Sequence, residues 1–102
     1  MKAIVVKQFG GPEMLEISDQ VEIPKCNQNE VLLKVEATAV NRADTLQRKG
    51  KYPPPKGVTD IIGLECVGFK SDPLTLQVDK SQQYMALLSG GSYAHCHTRS
   101  LG

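Results

Sequence analysis

The chain has 102 residues, enough for one small domain with a modest hydrophobic core. Twelve lysines and arginines against eleven aspartates and glutamates give a formal net charge of +1. That balance, without a basic run, argues against nucleic-acid binding. No apolar run approaches the ~20 residues of a membrane-spanning helix, and the run after Met1 is too short for a signal peptide. Three widely spaced cysteines argue against a disulfide framework, so we expect a cytoplasmic protein with reduced thiols.

The first 40 residues predict three strands. Ala3 to Phe9 has the composition of a strand, and Gly10-Gly11-Pro12 predicts a turn after it. Alternation from Met14 to Ser18 predicts a second strand paired with the first. Longer alternation from Val31 to Val40 predicts a half-buried strand. Its predicted apolar face consists of Val31, Leu33, Val35, Ala37 and Ala39.

A short helix is predicted next, from Arg42 to Lys49. Asn41 has the residue type of an N-cap, whose side chain can accept a backbone N–H of the first turn. Asp44 lies in that first turn, where the helix dipole favours a carboxylate. Gly50 is a typical residue just beyond a helix end. From this pattern alone, Asn41 is more simply a cap than a functional residue.

The rest of the chain predicts a proline-rich loop and several short strands. Three consecutive prolines between Lys51 and Gly57 favour an extended loop. The predicted strands are Leu64 to Phe69, Leu74 to Val78, Tyr84 to Leu88 and Tyr93 to Thr98. Many short strands, glycine and proline turns and one short helix predict a mainly β fold, either a small barrel or a sandwich.

Several short motifs, in a fixed order, resemble one family. They are Gly10-Gly11-Pro12-Glu13, Asn29-Glu30-Val31-Leu32-Leu33-Lys34-Val35, Asn41-Arg42-Ala43-Asp44, Gly50-Lys51-Tyr52-Pro53, Ile62-Gly63-Leu64-Glu65 with Gly68, and Met85-Ala86-Leu87-Leu88 followed by Gly90-Gly91 and Tyr93-Ala94. Each motif is weak by itself, but their shared order and spacing make chance agreement improbable. The sequence resembles the GroES-like catalytic domain of zinc-free quinone oxidoreductases in the medium-chain dehydrogenase/reductase superfamily.

The resemblance implies a fold and a site. It implies that residues 1–102 form one GroES-like, partly open β-barrel that is incomplete. In the family, NADPH binds between two domains and passes hydride to a quinone or an activated enone. By resemblance, Asn41 lies beside the nicotinamide and the substrate, and Tyr52 reaches the same pocket, so both are expected catalytic and cofactor-binding residues. Tyr52 could equally serve simple aromatic packing.

Four further residues belong to the family's structural motif: Asp44, Gly63, Glu65 and Gly68. The two glycines are more simply backbone requirements than ligand contacts. Glu65 is either a solvated strand residue or, if buried as in the family, a carboxylate that needs a partner such as Arg42 or Arg48.

The sequence argues against a catalytic metal. Zinc-dependent relatives carry cysteine and histidine where Asn41 and Leu64 stand, and neither asparagine nor leucine replaces those ligands. His95 and His97 would share one face of a strand, but no third ligand is evident, so incidental surface residues are the simpler interpretation. We therefore expect no bound metal.

No glycine-rich dinucleotide loop of the form G-x-G-x-x-G occurs in the chain. We therefore expect the substrate-side part of an NADPH-dependent quinone oxidoreductase that binds no NADPH and is inactive by itself. The expected partner is a quinone-type small molecule, with no nucleic acid and no membrane, and with possible self-association through incomplete strands. The alternative is a non-catalytic truncated or splice form that acts as an interaction module. A co-chaperonin is a third interpretation, but no mobile apolar-tipped loop supports it.

Overall fold

A computed structural model describes residues 1–94 and, for the backbone only, residues 96–100. His95 and the side chain of His97 lie outside the described part. The metal site considered for these two histidines therefore also lies outside it. The elements in chain order are β1 (Ala3–Val6), a 3-10 turn (Pro12–Met14), β2 (Leu15–Ser18), β3 (Glu30–Thr38), α1 (Arg42–Arg48), β4 (Glu65–Ser71), β5 (Val78–Leu87) and β6 (Cys96–Ser100).

The first two strands form the predicted hairpin. β1 and β2 are antiparallel, with Val6 opposite Leu15. β1 ends at Val6 rather than at Phe9, so the predicted strand was too long. The chain turns away because Gly10 N–H donates to the carbonyl of Arg48 at 3.0 Å, which ties the hairpin loop to the end of α1.

The main sheet has four antiparallel strands in the order β5-β4-β3-β6. Its core contains Val31, Leu33, Cys66 and Ala86. The predicted alternation of β3 is correct at Val31 and Leu33 but wrong at two other positions. Leu32 is only 1% exposed because both faces of the strand are covered there. Ala37 is exposed, and it follows a register shift after Val35.

The predicted strand Leu74 to Val78 is wrong. Residues 73–75 form a turn in which the Asp72 carboxylate accepts the N–H groups of Leu74 at 2.8 Å and Thr75 at 3.1 Å. These backbone hydrogen bonds also lower the pKa of Asp72. Leu76 then adopts a positive φ of 61°, which no strand tolerates. β5 consequently begins only at Val78, yet runs to Leu87 and is longer than predicted.

The last strand also starts later than predicted. β6 begins at Cys96, whereas Tyr93 precedes it in an irregular segment and Ala94 makes an isolated bridge to Ala3. The predicted fold class is confirmed: the chain is mostly β with one α-helix, and its sheets do not close into a barrel. Among the described residues, the sole α-helix spans seven residues and is far too short to cross a membrane.

Candidate functional site

Asn41 is the N-cap of α1, as predicted. Its backbone is extended, and it forms a capping box with Asp44. The Asp44 carboxylate accepts the N–H of Asn41 at 2.8 Å. In return, the N–H of Asp44 donates to the backbone carbonyl of Asn41 at 3.0 Å. The N–H groups of Asn41 and Asp44 are therefore bonded without the Asn41 side-chain NH2 group, which is left to bond elsewhere.

The other end of α1 explains the predicted stop at Gly50. This glycine has a φ of +80° and donates to the carbonyl of Gln47 at 3.0 Å, while Lys51 donates to Leu46 at 2.8 Å. These two bonds form a Schellman motif, which needs a left-handed residue at this position. α1 is thus limited to seven residues.

Asp44 is the centre of a buried hydrogen-bond network. Its side chain is 2% exposed. Besides Asn41, it accepts the Gly63 N–H through Oδ1 at 3.1 Å and the Tyr93 hydroxyl through Oδ2 at 3.1 Å. A buried carboxylate without donors would be strongly destabilising. The three donors come from three separate segments, so one side chain connects the start of α1, the approach to β4 and the segment after β5.

Glu65 is the partner of the Asn41 side chain. Asn41 Nδ2 donates to Glu65 Oε1 at 3.2 Å, and both residues are half-buried. The expected arginine partners are not used: Arg48 Nε donates instead to the carbonyl of Gly10 at 3.1 Å, and Arg42 is exposed at the start of α1. The Glu65 carboxylate is therefore hydrogen-bonded to a neutral amide and not to one of the expected arginines.

The two motif glycines meet steric requirements. Gly63 has a φ of +112°, and a Cβ there would collide with Ser92 Oγ and approach Tyr93 N at 2.8 Å. A Cβ on Gly68 would collide with the carbonyl oxygen of Lys34 in the neighbouring strand. These contacts agree with the backbone interpretation of both glycines.

Tyr52 lies elsewhere in the described structure. It is 45% exposed. It lines a cavity of about 520 Å³ whose walls also include Phe9, Gln47 and Ile62, and Asn41 is not among the lining residues. Tyr52 and Asn41 therefore do not share this cavity.

An apolar groove lies on the other side of Glu65. Its volume is about 320 Å³. It crosses the face of the sheet formed by β3, β4 and β5. Its walls include Ala37, Val67, Met85 and Leu87 together with Glu65. Glu65 is thus shared by the groove and by the hydrogen bond to Asn41. An apolar surface bordered by the Glu65 carboxylate suits a planar molecule with a polar edge.

Sequence reasoning missed Tyr93 and Ser92. Ser92 is 1% exposed, and its Oγ lies 2.6 Å from Thr38 Oγ1, which donates to the carbonyl of Glu65 at 2.8 Å. Burial and the hydrogen bond to Asp44 raise the pKa of Tyr93 to about 12. Tyr93 belongs to the family-like motif that follows Gly90-Gly91, but neither it nor Ser92 was assigned a role from the sequence.

No group of three or more histidine, cysteine, aspartate or glutamate side chains within the described residues is arranged to hold a metal ion. Cys26 and Cys66 are free thiols, and burial raises the pKa of Cys66.

Comparisons with known proteins place this geometry in a family. The family described as alcohol dehydrogenase GroES-like domain matches residues 27–69. The quinone oxidoreductase of Lama guanicoe is 40% identical over 68 residues, which are 67% of this chain and 21% of that protein. The chain thus spans about a fifth of that relative's length.

Solved structures agree along almost the whole chain. The quinone oxidoreductase of Thermus thermophilus, also solved with NADPH, has a TM-score of 0.73 and 35% identity over 99% of this chain and 30% of its own. A mycobacterial protein complexed with NADPH has a TM-score of 0.77 and 33% identity, and it covers 99% of this chain and 30% of its own. The chain is a quinone oxidoreductase-like member of the medium-chain dehydrogenase/reductase superfamily and has the fold of its N-terminal GroES-like domain.

Proposed function

We propose that this chain forms the substrate-side wall of a zinc-independent, NADPH-dependent quinone oxidoreductase of the cytoplasm. In this proposal, residues 1–102 act as one GroES-like domain, and the substrate is a quinone or a related activated carbonyl compound. The name of the similar proteins supports the substrate class. Asn41, in place of a thiolate ligand, supports chemistry without zinc.

The observation that carries the proposal is the hydrogen bond between Asn41 and Glu65, of which Glu65 also lines the apolar groove. An amide held at 3.2 Å from a carboxylate oxygen has a defined orientation, and it does not titrate in the physiological range. Such a group can orient a carbonyl oxygen while the apolar wall receives the ring of the substrate. Carbonyl reduction in this setting needs a positioned acceptor and a hydride donor, and NADPH supplies the hydride when bound.

The described residues do not fit the phosphates of NADPH. A pyrophosphate is normally held by a glycine-rich loop at a helix N-terminus. Here α1 has only seven residues, the N–H groups of Asn41 and Asp44 are already bonded within the chain, and no G-x-G-x-x-G loop occurs in the sequence. In this proposal the dinucleotide is held by another domain, which is also expected to bring the nicotinamide and Tyr52 close to Asn41.

A chimera tests the proposal. This chain replaces the corresponding GroES-like part of the Thermus thermophilus quinone oxidoreductase, and NADPH oxidation is followed with an ortho-quinone. We expect turnover, reduced about 100-fold by Asn41→Ala and unchanged by Asn27→Ala, an exposed asparagine remote from the site. A folded chimera that binds NADPH but reduces no quinone would refute the proposal.

One observation favours a second function, that of an interaction module. Met85 is 86% and Leu87 is 77% exposed, and both lie on β5 at the edge of the described sheet. Exposed apolar side chains on an edge strand are typical of surfaces that bind another chain. If the chimera is inactive while the chain associates through β5, this second function is the better account.

A further inference from the structure

We propose that Tyr93 and Asp44 are a coupled pair of positioning residues that fixes both partners of the Asn41–Glu65 hydrogen bond. The inference rests on the proposed role of Asn41 in the quinone site and gives a role to Tyr93, a motif residue to which the resemblance assigned none. Its basis is a chain of contacts from the segment after β5 to the start of α1 and the start of β4.

The first step is the direct link from Tyr93 to the backbone of Asn41. Asp44 Oδ2 accepts both the Tyr93 hydroxyl at 3.1 Å and the Asn41 N–H at 2.8 Å. The same hydroxyl lies 3.3 Å from the carbonyl oxygen of Ala39, two residues before Asn41. A phenol has one proton, so the hydroxyl shares it between two acceptors on the same strand-to-helix connection. Tyr93 therefore holds the connection between β3 and α1 from one side.

The second step links Tyr93 to the approach to β4. Tyr93 N–H donates to the carbonyl of Ile62 at 3.1 Å, and Ser92 N–H donates to that of Gly63 at 3.3 Å. Asp44 Oδ1 holds the Gly63 N–H from the other side. Gly63 is two residues from Glu65, so its position determines where β4 and the Glu65 carboxylate begin.

The burial of Asp44 and a backbone hydrogen bond of Tyr93 exclude a looser arrangement of this network. The side chain of Asp44 is almost fully buried, so losing a donor leaves a carboxylate lone pair without water to replace it. The carbonyl of Tyr93 also accepts the N–H of Ile4 in β1 at 2.8 Å. The tyrosine is held by the small sheet as well as by the network, which makes it a fixed reference for Asn41 and Glu65.

Nuclear magnetic resonance on the chain itself tests the inference and requires no turnover. We measure Tyr93→Phe, which keeps the ring and removes the hydroxyl, and follow the backbone N–H and side-chain amide of Asn41. We expect the Asn41 side-chain signals to move toward those of a free asparagine, and its backbone hydrogen exchange to accelerate about tenfold, as the loss of one hydrogen bond implies. Tyr84→Phe is the control, because among the described residues that hydroxyl is hydrogen-bonded to the exposed Gln82 alone, at 3.5 Å.

A second variant guards against general unfolding. Asp44→Asn keeps the size of the side chain but removes its charge, and it is expected to shift the same Asn41 signals further than Tyr93→Phe does. If the Asn41 signals are unchanged in folded Tyr93→Phe, or if Tyr84→Phe moves them equally, the inference is wrong. The Asn41 signals report the geometry of the site and do not depend on turnover. Failure of the chimera would refute the proposed function, whereas unchanged Asn41 signals would refute the role of Tyr93.

Discussion

The side-chain amide of Asn41 and the carboxylate of Glu65 are joined by a hydrogen bond of 3.2 Å across 24 positions of sequence. Asn41 ends the connection from β3 to α1, and Glu65 begins β4. One hydrogen bond thus connects the start of the helix to the sheet at the border of the apolar groove. The first prediction concerns its contribution to stability.

Asn41→Ala is expected to destabilise the chain by about 1 kcal/mol, because it leaves the half-buried Glu65 without its amide donor. Urea unfolding measures the change. Asn27→Ala is the matched control: that side chain is exposed, and the hydrogen bond there is made by its backbone N–H. Equal losses in the two variants would show that the Asn41–Glu65 bond has no measurable effect.

Gly63→Ala and Gly57→Ala separate steric collision from backbone strain. Both glycines have positive φ values, +112° and +85°, but a Cβ on Gly57 meets nothing within 4 Å. Gly57→Ala should therefore cost about 1 kcal/mol from strain alone. Gly63→Ala should cost about 3 kcal/mol, because overpacking against Ser92 and Tyr93 is added to the strain. The unfolding midpoints of the two variants, measured under the same conditions, test this prediction. Similar losses of stability in both variants would contradict the tight contact around Gly63.

Whether an interaction could be predicted from the sequence depends on how many residues separate its two partners. The N-cap at Asn41 and the stop at Gly50 are local, so residue types and spacing predicted them. The partner of Glu65 is not local, and sequence reasoning chose arginines where the fold uses Asn41. Tyr93 lies 49 residues from Asp44, and nothing in a single sequence connects the two.

The wrong strand at Leu74 to Val78 has a different cause. Its apolar residues favour a strand, but Asp72 before Pro73 favours a turn, and the two hydrogen bonds from Asp72 outweigh the strand propensity. This competition was visible in the sequence. The cavity that Tyr52 lines could not be predicted in this way, since its walls come from segments that are distant in the sequence.

Tyr93 predicts a loss of stability at alkaline pH. The phenol is bonded in its protonated form, and its pKa in the fold is about 12 against an ordinary value of 10. Its contribution is therefore fully present below pH 10 and is lost as the pH rises toward 12. Urea unfolding at increasing alkaline pH, with tyrosinate absorbance, measures it. Tyr93→Phe should remove this part of the pH dependence and Tyr84→Phe should not. An identical pH dependence in wild type and Tyr93→Phe would refute it.

Self-association is expected through β5. Its outer edge has no partner strand within the described residues, and Met85 and Leu87 are exposed on it. Sedimentation over a concentration series should show reversible association, weakened by Met85→Lys combined with Leu87→Lys. Leu74→Lys is the control, because Leu74 is 93% exposed but lies in the turn before β5. A monomer at every concentration would contradict the expectation.

The central claim is that this chain carries the substrate wall around Asn41, whereas the phosphates of NADPH are held elsewhere. Titration of the chain with NADPH, followed through the backbone resonances of Asn41 and Gly63, tests that claim most directly. We predict no saturable shift, because the sequence has no G-x-G-x-x-G loop to hold the pyrophosphate and the N–H groups of Asn41 and Asp44 are already bonded within the chain. Stoichiometric binding of NADPH with saturating shifts at Asn41 would contradict it.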